Sequence, residues 1–356
     1  MTRTKRSRQR AVVLAALLTT ATTVLVGCAA HPAEKDEVSL VMAEAFPDTH
    51  PVGAGGSVPF VDYIAEHGGD VGLEIEHYPA GQLGAQEEIP DLLRSGAIDI
   101  GYIIPSYNVD ELPLANVGDL PGITKDSCRR ADALIPMMQP GGTIYENELK
   151  AHGFHAMWGV AIPELEIATS KKPVETPDDA RGLMIAGAGG TTDRVLAGLG
   201  AASVPMTGAD YYEAIARNTV DGVQTGKYVL KSYGVMDVIN YVTRGANLGA
   251  TTAYLGISSD AWDGLDDAQR KVLREASAVA QKGTCKSVKA ADEEAIGDME
   301  GAGVQFADIR SDDRAEWDSV LDRVRDSWAE AGEESGIPAA RTLDELERRV
   351  KEVEEK

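Results

Sequence analysis

The chain has 356 residues, of which 26% are charged, and a formal net charge of -23. Such an acidic chain is a poor partner for nucleic acid, whose binding depends on neutralising phosphates with lysine and arginine. The charge says nothing about the sign of a small ligand, because an acidic surface chiefly serves solubility. The length exceeds what one core comfortably serves, which points to two lobes.

Arg3, Lys5, Arg6, Arg8 and Arg10 precede an apolar run from Ala11 to Val26. This is the pattern of an export signal. The run closes on Leu25-Val26-Gly27-Cys28, where a lipoprotein signal peptidase would cut before a diacylated Cys28. Acylation would then hold the protein at the outer face of the cell membrane. Residues 1–27 are thus expected to be a signal peptide and 28–37 a lipidated tether. The alternative is a retained transmembrane anchor, for which about 16 apolar residues is short. Loss of the basic signal would take the net charge from -23 to about -28. Cys128 and Cys285 then remain, and an oxidising compartment permits their pairing. Two separate buried thiols are the other reading.

Apolar runs and helical periodicities alternate along the rest of the chain, which implies α/β layers. In a first unit, 38–43 reads as a strand, 52–67 as a helix, 71–78 as a strand, 85–95 as a helix and 97–104 as a strand. A helix over 126–139 and a strand near 154–160 complete it. In a second unit, 165–169 and 182–186 read as strands, 191–199 as a helix, 202–205 as a strand, 209–217 as a helix and 220–224 as a strand. Residues 251–258 are β-rich. From Asp266 one helix could run past Gly297 and cross both lobes, weakened by Gly283 and Gly297 without being forbidden. Residues 311–331 and 342–356 read as amphipathic helices, the last with a solvated polar side.

Several short motifs recur in order. Gly81-Gln82-Leu83-Gly84 is followed by Glu87, then by Arg94-Ser95-Gly96-Ala97-Ile98-Asp99. Lys172-Pro173-Val174 leads to Asp178-Asp179-Ala180-Arg181-Gly182-Leu183. Leu199-Gly200-Ala201, Tyr212-Glu213-Ala214-Ile215, Val220-Asp221-Gly222 and Trp262-Asp263-Gly264-Leu265 follow. In this order and spacing the chain resembles the DctP-type solute-binding proteins of tripartite ATP-independent periplasmic (TRAP) transporters over essentially its whole mature length. The resemblance implies a two-lobed, type II-like periplasmic-binding-protein fold, an α/β architecture with mixed sheets flanked by helices, hinge strands and a long helix spanning both lobes. Lobe I would take 38–163 and 251–290, and lobe II 164–250 and 291–356. It also implies an extracytoplasmic receptor without catalysis, cofactor or metal. Such a receptor would act as a monomer that closes on a small solute and hands it to DctQ-like and DctM-like membrane subunits. A lipoprotein presenting its ligand to a sensor kinase and an exported hydrolase are the alternatives.

The family usually places an arginine after the Gly-Leu-Lys-Ile strand, where a planar guanidinium pairs with a substrate carboxylate. Here that position is Ala186. In some relatives a second arginine lies on the preceding strand, and counting back from Pro173 it falls at Glu166. Three accounts stay open. The ligand is neutral or cationic and meets Glu166 or Glu164; or an anion binds backbone amides of Gly187-Ala188-Gly189-Gly190 or a cation such as Lys227 or Arg244; or Glu166 simply points to solvent. Further positions follow by resemblance: Phe46 and His50 after the first strand, Gln82 and Glu87 at the Gly81 turn, Tyr102 and Tyr107 at the end of the Ile98 strand, Gln224 and Thr225 after Val220-Asp221-Gly222, and Asn247. Trp158, Tyr211 and Tyr228 could supply apolar walls with a polar edge, or belong to the core. The six histidines form no metal pattern: His152 and His155 lack a third ligand. There is no G-x-S-x-G elbow, and Thr192 stands where a dinucleotide fingerprint needs its third glycine.

Overall fold

The structure, a computed structural model, describes residues 37–354. The signal pattern, Cys28 and the tether as far as residue 36 lie outside them. Among the described residues no helix is long and apolar enough to cross a membrane.

The first lobe is laid down as β1 (Val38–Ala43), α1 (Val58–His67), β2 (Leu73–Tyr78), α2 (Ile89–Ser95), β3 (Ile100–Ile103), α3 (Ser127–Leu134), α4 (Lys150–His152) and β4 (Phe154–Ala161). The second follows as β5 (Glu166–Thr169), β6 (Met184–Gly187), α5 (Thr191–Gly198), β7 (Ala202–Pro205), α6 (Tyr211–Ala216), β8 (Gly222–Thr225), α7 (Lys227–Ser232) and β9 (Tyr241–Arg244). The chain then returns through β10 (Thr252–Ser258) and α8 (Ser259–Gly264), runs along α9 (Asp267–Gly301), and ends in β11 (Gln305–Asp308), α10 (Arg314–Glu334) and α11 (Ala339–Glu354).

The strands form two mixed sheets, ordered β2-β1-β3-β10-β4 and β11-β9-β5-β8-β6-β7. In each sheet one strand runs against its neighbours: β10 between β3 and β4, and β5 between β8 and β9. Every residue of β3 and β10 is buried, as expected of strands covered on both faces. The two segments that pass between lobes are fastened together. Ile162 N–H donates to the Thr251 carbonyl at 2.8 Å, and Leu165 N–H to the Gly249 carbonyl at 3.1 Å.

Helix α9 starts at a capping box in which Asp266 accepts from Gln269 N–H at 2.8 Å and Gln269 Oε1 accepts from Asp266 N–H at 3.0 Å. Its 35 residues pack against α1 and β4 on one side and α7 on the other. Gly283 costs such a helix roughly 1 kcal/mol of propensity, and the packing supplies the reason for it. A Cβ on Gly283 would stand 2.2 Å from the Gly55 carbonyl oxygen, and one on Gly56 would stand 2.2 Å from the Trp158 ring. Glycines therefore let the helix approach the turn before α1 at backbone distance. Of the two readings of the cysteines, the structure has the pair: Cys128 on α3 and Cys285 on α9 form a disulfide with their Cα atoms 5.3 Å apart.

Five elements have no counterpart in the sequence-based expectations: α4, α7, β9, α8 and β11. Strands β9 and β11 have four residues each, too few to display a period, and they pair with each other in parallel at the sheet's edge. The other difference concerns the C-terminus. The expected second lobe includes all of 291–356, yet α11 packs on α3 and buries Leu346 and Val350 in the cluster that holds Leu134 and Phe154 of the first lobe. Its narrow apolar stripe covers α3, while its other face carries ion pairs such as Arg349 with Glu345 at 2.7 Å.

Candidate functional site

Between the lobes lies a cavity of about 50 Å³, room for about three to five waters at roughly 10–15 Å³ each. The loop after β1 contributes Phe46 and His50, and the segment after β3 contributes Ile104 and Tyr107. Ile162 and Thr251 come from the two crossing segments. From the second lobe come Ala188, Gly208, Tyr211, Thr225, Tyr228, Val229 and Tyr233.

The walls are aromatic and uncharged. Phe46 and His50 stack with ring centres 4.6 Å apart, and His50 meets the edge of Tyr228 at 5.7 Å. Val52 N–H donates to His50 Nδ1 at 3.2 Å, and burial lowers the imidazole to about 4. The ring is therefore neutral at ordinary pH, with its proton on Nε2. Burial likewise raises the hydroxyls of Tyr107, Tyr211, Tyr228 and Tyr233, so they stay protonated. Among the described residues no lysine, arginine or carboxylate lines the cavity.

The two positions of the family's arginines are linked through β8. Glu166 stands opposite Thr225 and Ala186 opposite Val223. Paired residues and residues two apart share a sheet face, so positions 166 and 186 share the face that Thr225 presents to the cavity. Ala186 is fully buried and offers only a methyl group. Glu166 is also fully buried, which overturns the account in which it points to solvent. Its Oε1 accepts from Gly245 N–H at 3.0 Å, while Oε2 has no partner. Burial, and then the neighbouring Glu164, push its carboxyl well above the usual range.

The other anion grips weighed from sequence are engaged elsewhere. Lys227 pairs with Asp292 at 3.3 Å, and Arg244 pairs with Asp308 and lies over the Phe306 ring. Both face a separate groove that also holds Glu164 and Lys125. In the glycine run, Asn116 of the first lobe accepts from Thr191 N–H at 3.2 Å, taking up the first amide of α5. A Cβ on Gly190 would lie 2.5 Å from Asn116 Oδ1 and one on Gly189 3.0 Å from the Ser106 carbonyl. Both glycines have positive φ. The run is thus a place of close approach between lobes.

Of the residues singled out from sequence, Phe46, His50, Tyr107, Tyr211, Thr225 and Tyr228 line the cavity. Tyr102 and Trp158 stand behind them: Tyr102 packs edge-on against Phe46 at 5.6 Å and Trp158 at 5.2 Å. Gln224 turns the other way, its Nε2 donating to the Leu248 carbonyl at 3.4 Å. Asn247 adopts a positive φ of 59° and donates its N–H to Glu164. Gln82 and Glu87 are exposed. At that turn Gln86 is the buried residue, donating to the Tyr102 carbonyl at 2.6 Å. Tyr233 and Thr251 line the cavity without having been anticipated. One group outside the cavity, Glu44, Asp48 and His77, brings ligand-type atoms within 4.8 Å of one another. Both oxygens of Glu44 are already taken, by Ser57 Oγ at 2.8 Å and His77 Nε2 at 2.7 Å.

Two α/β lobes, joined by paired crossing segments and meeting around a small cavity, define a periplasmic-binding-protein-like solute receptor. Residues 42–331 match the bacterial extracellular solute-binding protein family 7, DctP, and the chain belongs to that family, whose members are receptors rather than enzymes. The chain is similar to the C4-dicarboxylate-binding periplasmic protein DctP of Rhodobacter capsulatus, 27% identical over 290 residues that cover 80% of this chain and 84% of the relative. A solute-binding protein of Albidiferax ferrireducens is 25% identical over 269 residues, covering 73% and 76% respectively. Among solved structures, a TRAP solute-binding protein from Rhodoferax ferrireducens in complex with benzoate superposes with a TM-score of 0.79 at 20% identity, covering 89% of this chain and 99% of that one. The protein is therefore an extracytoplasmic receptor for a small solute that works with membrane subunits.

Proposed function

We propose that this receptor takes a neutral or cationic polar solute into the cavity between its lobes and delivers it to DctQ-like and DctM-like membrane subunits, while held as a monomer at the membrane by a diacylated Cys28. The observation that carries the ligand reading is Ala186, a buried methyl group where the family's clamp presents a guanidinium. Glu166 at the second clamp position adds a carboxyl that would repel an anion when ionised. Neutral cavity walls and the engagement of Lys227 and Arg244 in ion pairs leave a carboxylate without a counter-charge. Desolvating an unpaired charge is costly, so a benzoate-like or dicarboxylate ligand is disfavoured.

A melting-temperature screen of the mature protein across polyols, sugars, amines, amino acids and organic acids tests the reading, because ligand binding raises stability by mass action. Stabilisation by neutral or amine-bearing compounds is expected. Stabilisation by simple carboxylates alone would overturn it. Mass spectrometry of protein purified from membranes addresses the anchor: the expected N-terminus is a diacylated Cys28, and an unmodified Cys28 would contradict it.

A further inference from the structure

We propose that the solute is a small organic ammonium ion, recognised by the aromatic walls of the cavity and balanced by Glu166. This rests on the preceding reading of the ligand as neutral or cationic, and narrows it to one charge class.

The first support is a concentration of rings. Aromatic residues make up only 5% of the chain, yet four of its eleven tyrosines, Tyr107, Tyr211, Tyr228 and Tyr233, share one cavity with Phe46 and His50. A ring face carries negative potential, so a desolvated cation is attracted to it and an anion is not. The second support is independent of the rings. Glu166 is completely buried with Oε2 unpartnered, on a strand whose partner residue Thr225 lines the cavity. An unpartnered buried carboxyl oxygen is a standing cost that an apolar ligand would not offset and that a neutral donor would offset only by a hydrogen bond. A cation would offset it, by drawing the group into its charged form. The cavity of about 50 Å³ limits the ion, in this closed arrangement, to about four heavy atoms.

Titration calorimetry at constant ionic strength with ethanolammonium, trimethylammonium, 1-propanol and propionate tests the inference. Ethanolammonium and 1-propanol have the same number of heavy atoms and differ in charge. The expected result is saturable binding of at least one ammonium ion, about tenfold or more tighter than 1-propanol. Variants at Tyr233, a partly buried residue of the cavity wall, and at the fully buried Glu166 sharpen the assignment. Tyr233→Phe should keep ammonium affinity within a few-fold, and Tyr233→Leu should lose about tenfold. Glu166→Gln should weaken the ammonium ions and leave 1-propanol unaffected. Equal affinity for ethanolammonium and 1-propanol, or no saturation by either ammonium ion at millimolar concentration, would overturn this inference and leave the broader reading standing. Preference for propionate would overturn both.

Discussion

Replacing Cys128 and Cys285 together by serine is expected to lower unfolding stability by about 5 kcal/mol, because the bond closes a loop of 157 residues in the chain-entropy account of crosslinks. For a chain of this size that corresponds to a fall of roughly 10 °C in melting temperature. The loss should reach the site. The bond ties α9 to α3 of the first lobe, and α9 also carries Asp292, which accepts from Tyr228 N–H at 3.3 Å and pairs with Lys227 at 3.3 Å. A loosened α9 would unsettle the Tyr228 wall and weaken ligand binding. Calorimetric melting with and without reductant checks the stability claim. Unchanged melting on reduction, or two freely alkylated thiols in the native protein, would contradict it.

The second large effect is expected at Asp119, which joins its own segment to Ser106 and to the start of β10 beside the cavity. Its Oδ1 accepts from Thr252 N–H and Thr252 Oγ1, both at 2.6 Å, and its Oδ2 accepts from Ser106 Oγ. It is also the carboxylate facing Arg130, a buried guanidinium that donates to the carbonyls of Gly118, Leu120 and Thr124. Asp119→Ala removes these partners at once and leaves a buried cation uncompensated, at a cost of about 3–5 kcal/mol. Ser106 adjoins Tyr107 and Thr252 adjoins Thr251, so the cavity wall should loosen with it.

Asp119 also gives a pH signature. Burial raises its carboxyl to about 6 despite the Ser106 and Thr252 hydrogen bonds. For an acid whose folded pKa is raised, the stabilising contribution is complete below the ordinary carboxylate range and is lost as pH rises through about 6. A shift of about two units is worth roughly 3 kcal/mol. Asp119→Asn does not titrate, and the other buried carboxyls are common to both proteins. Wild type should therefore lose about 2–2.5 kcal/mol relative to Asp119→Asn between pH 4 and pH 7. Parallel stability curves for the two proteins in denaturant titrations across that range would refute the assignment.

The readable parts of the fold are those where one physical demand dominates. Strands β3 and β10 are buried on both faces and appear as short apolar runs, while α9 announces itself through a sustained helical pattern from Asp266 onward. The edge strands β9 and β11 have no such signature, since their pairing depends on a neighbour supplied from far along the chain. The same distinction separates the site residues. Phe46, His50, Tyr107 and Thr225 follow from motif positions beside strand ends, whereas Tyr211 and Tyr228 are anticipated only as candidate aromatic walls. Tyr233 stands just after α7, a helix of six residues too short to show a period, and is not anticipated although Tyr228 within that helix is. At the Gly81 turn, the short helix at Gln86–Glu88 sets which side chain turns inward. That phase selects Gln86 over Gln82 and Glu87. The role of Gly189 and Gly190 was hidden for a related reason, since Asn116 reaches α5 from the opposite lobe.

Ala186, on which the proposed ligand class rests, is legible as a departure from a family pattern. The structure adds that the site at 186 is buried, that Glu166 shares its sheet face, and that no other cation lines the cavity among the described residues. Titration calorimetry of the mature receptor with benzoate and a C4-dicarboxylate tests the central claim most directly. The predicted result is no saturable heat with either carboxylate, under conditions where a neutral or ammonium-bearing solute does saturate. Micromolar binding of benzoate or the dicarboxylate would contradict it.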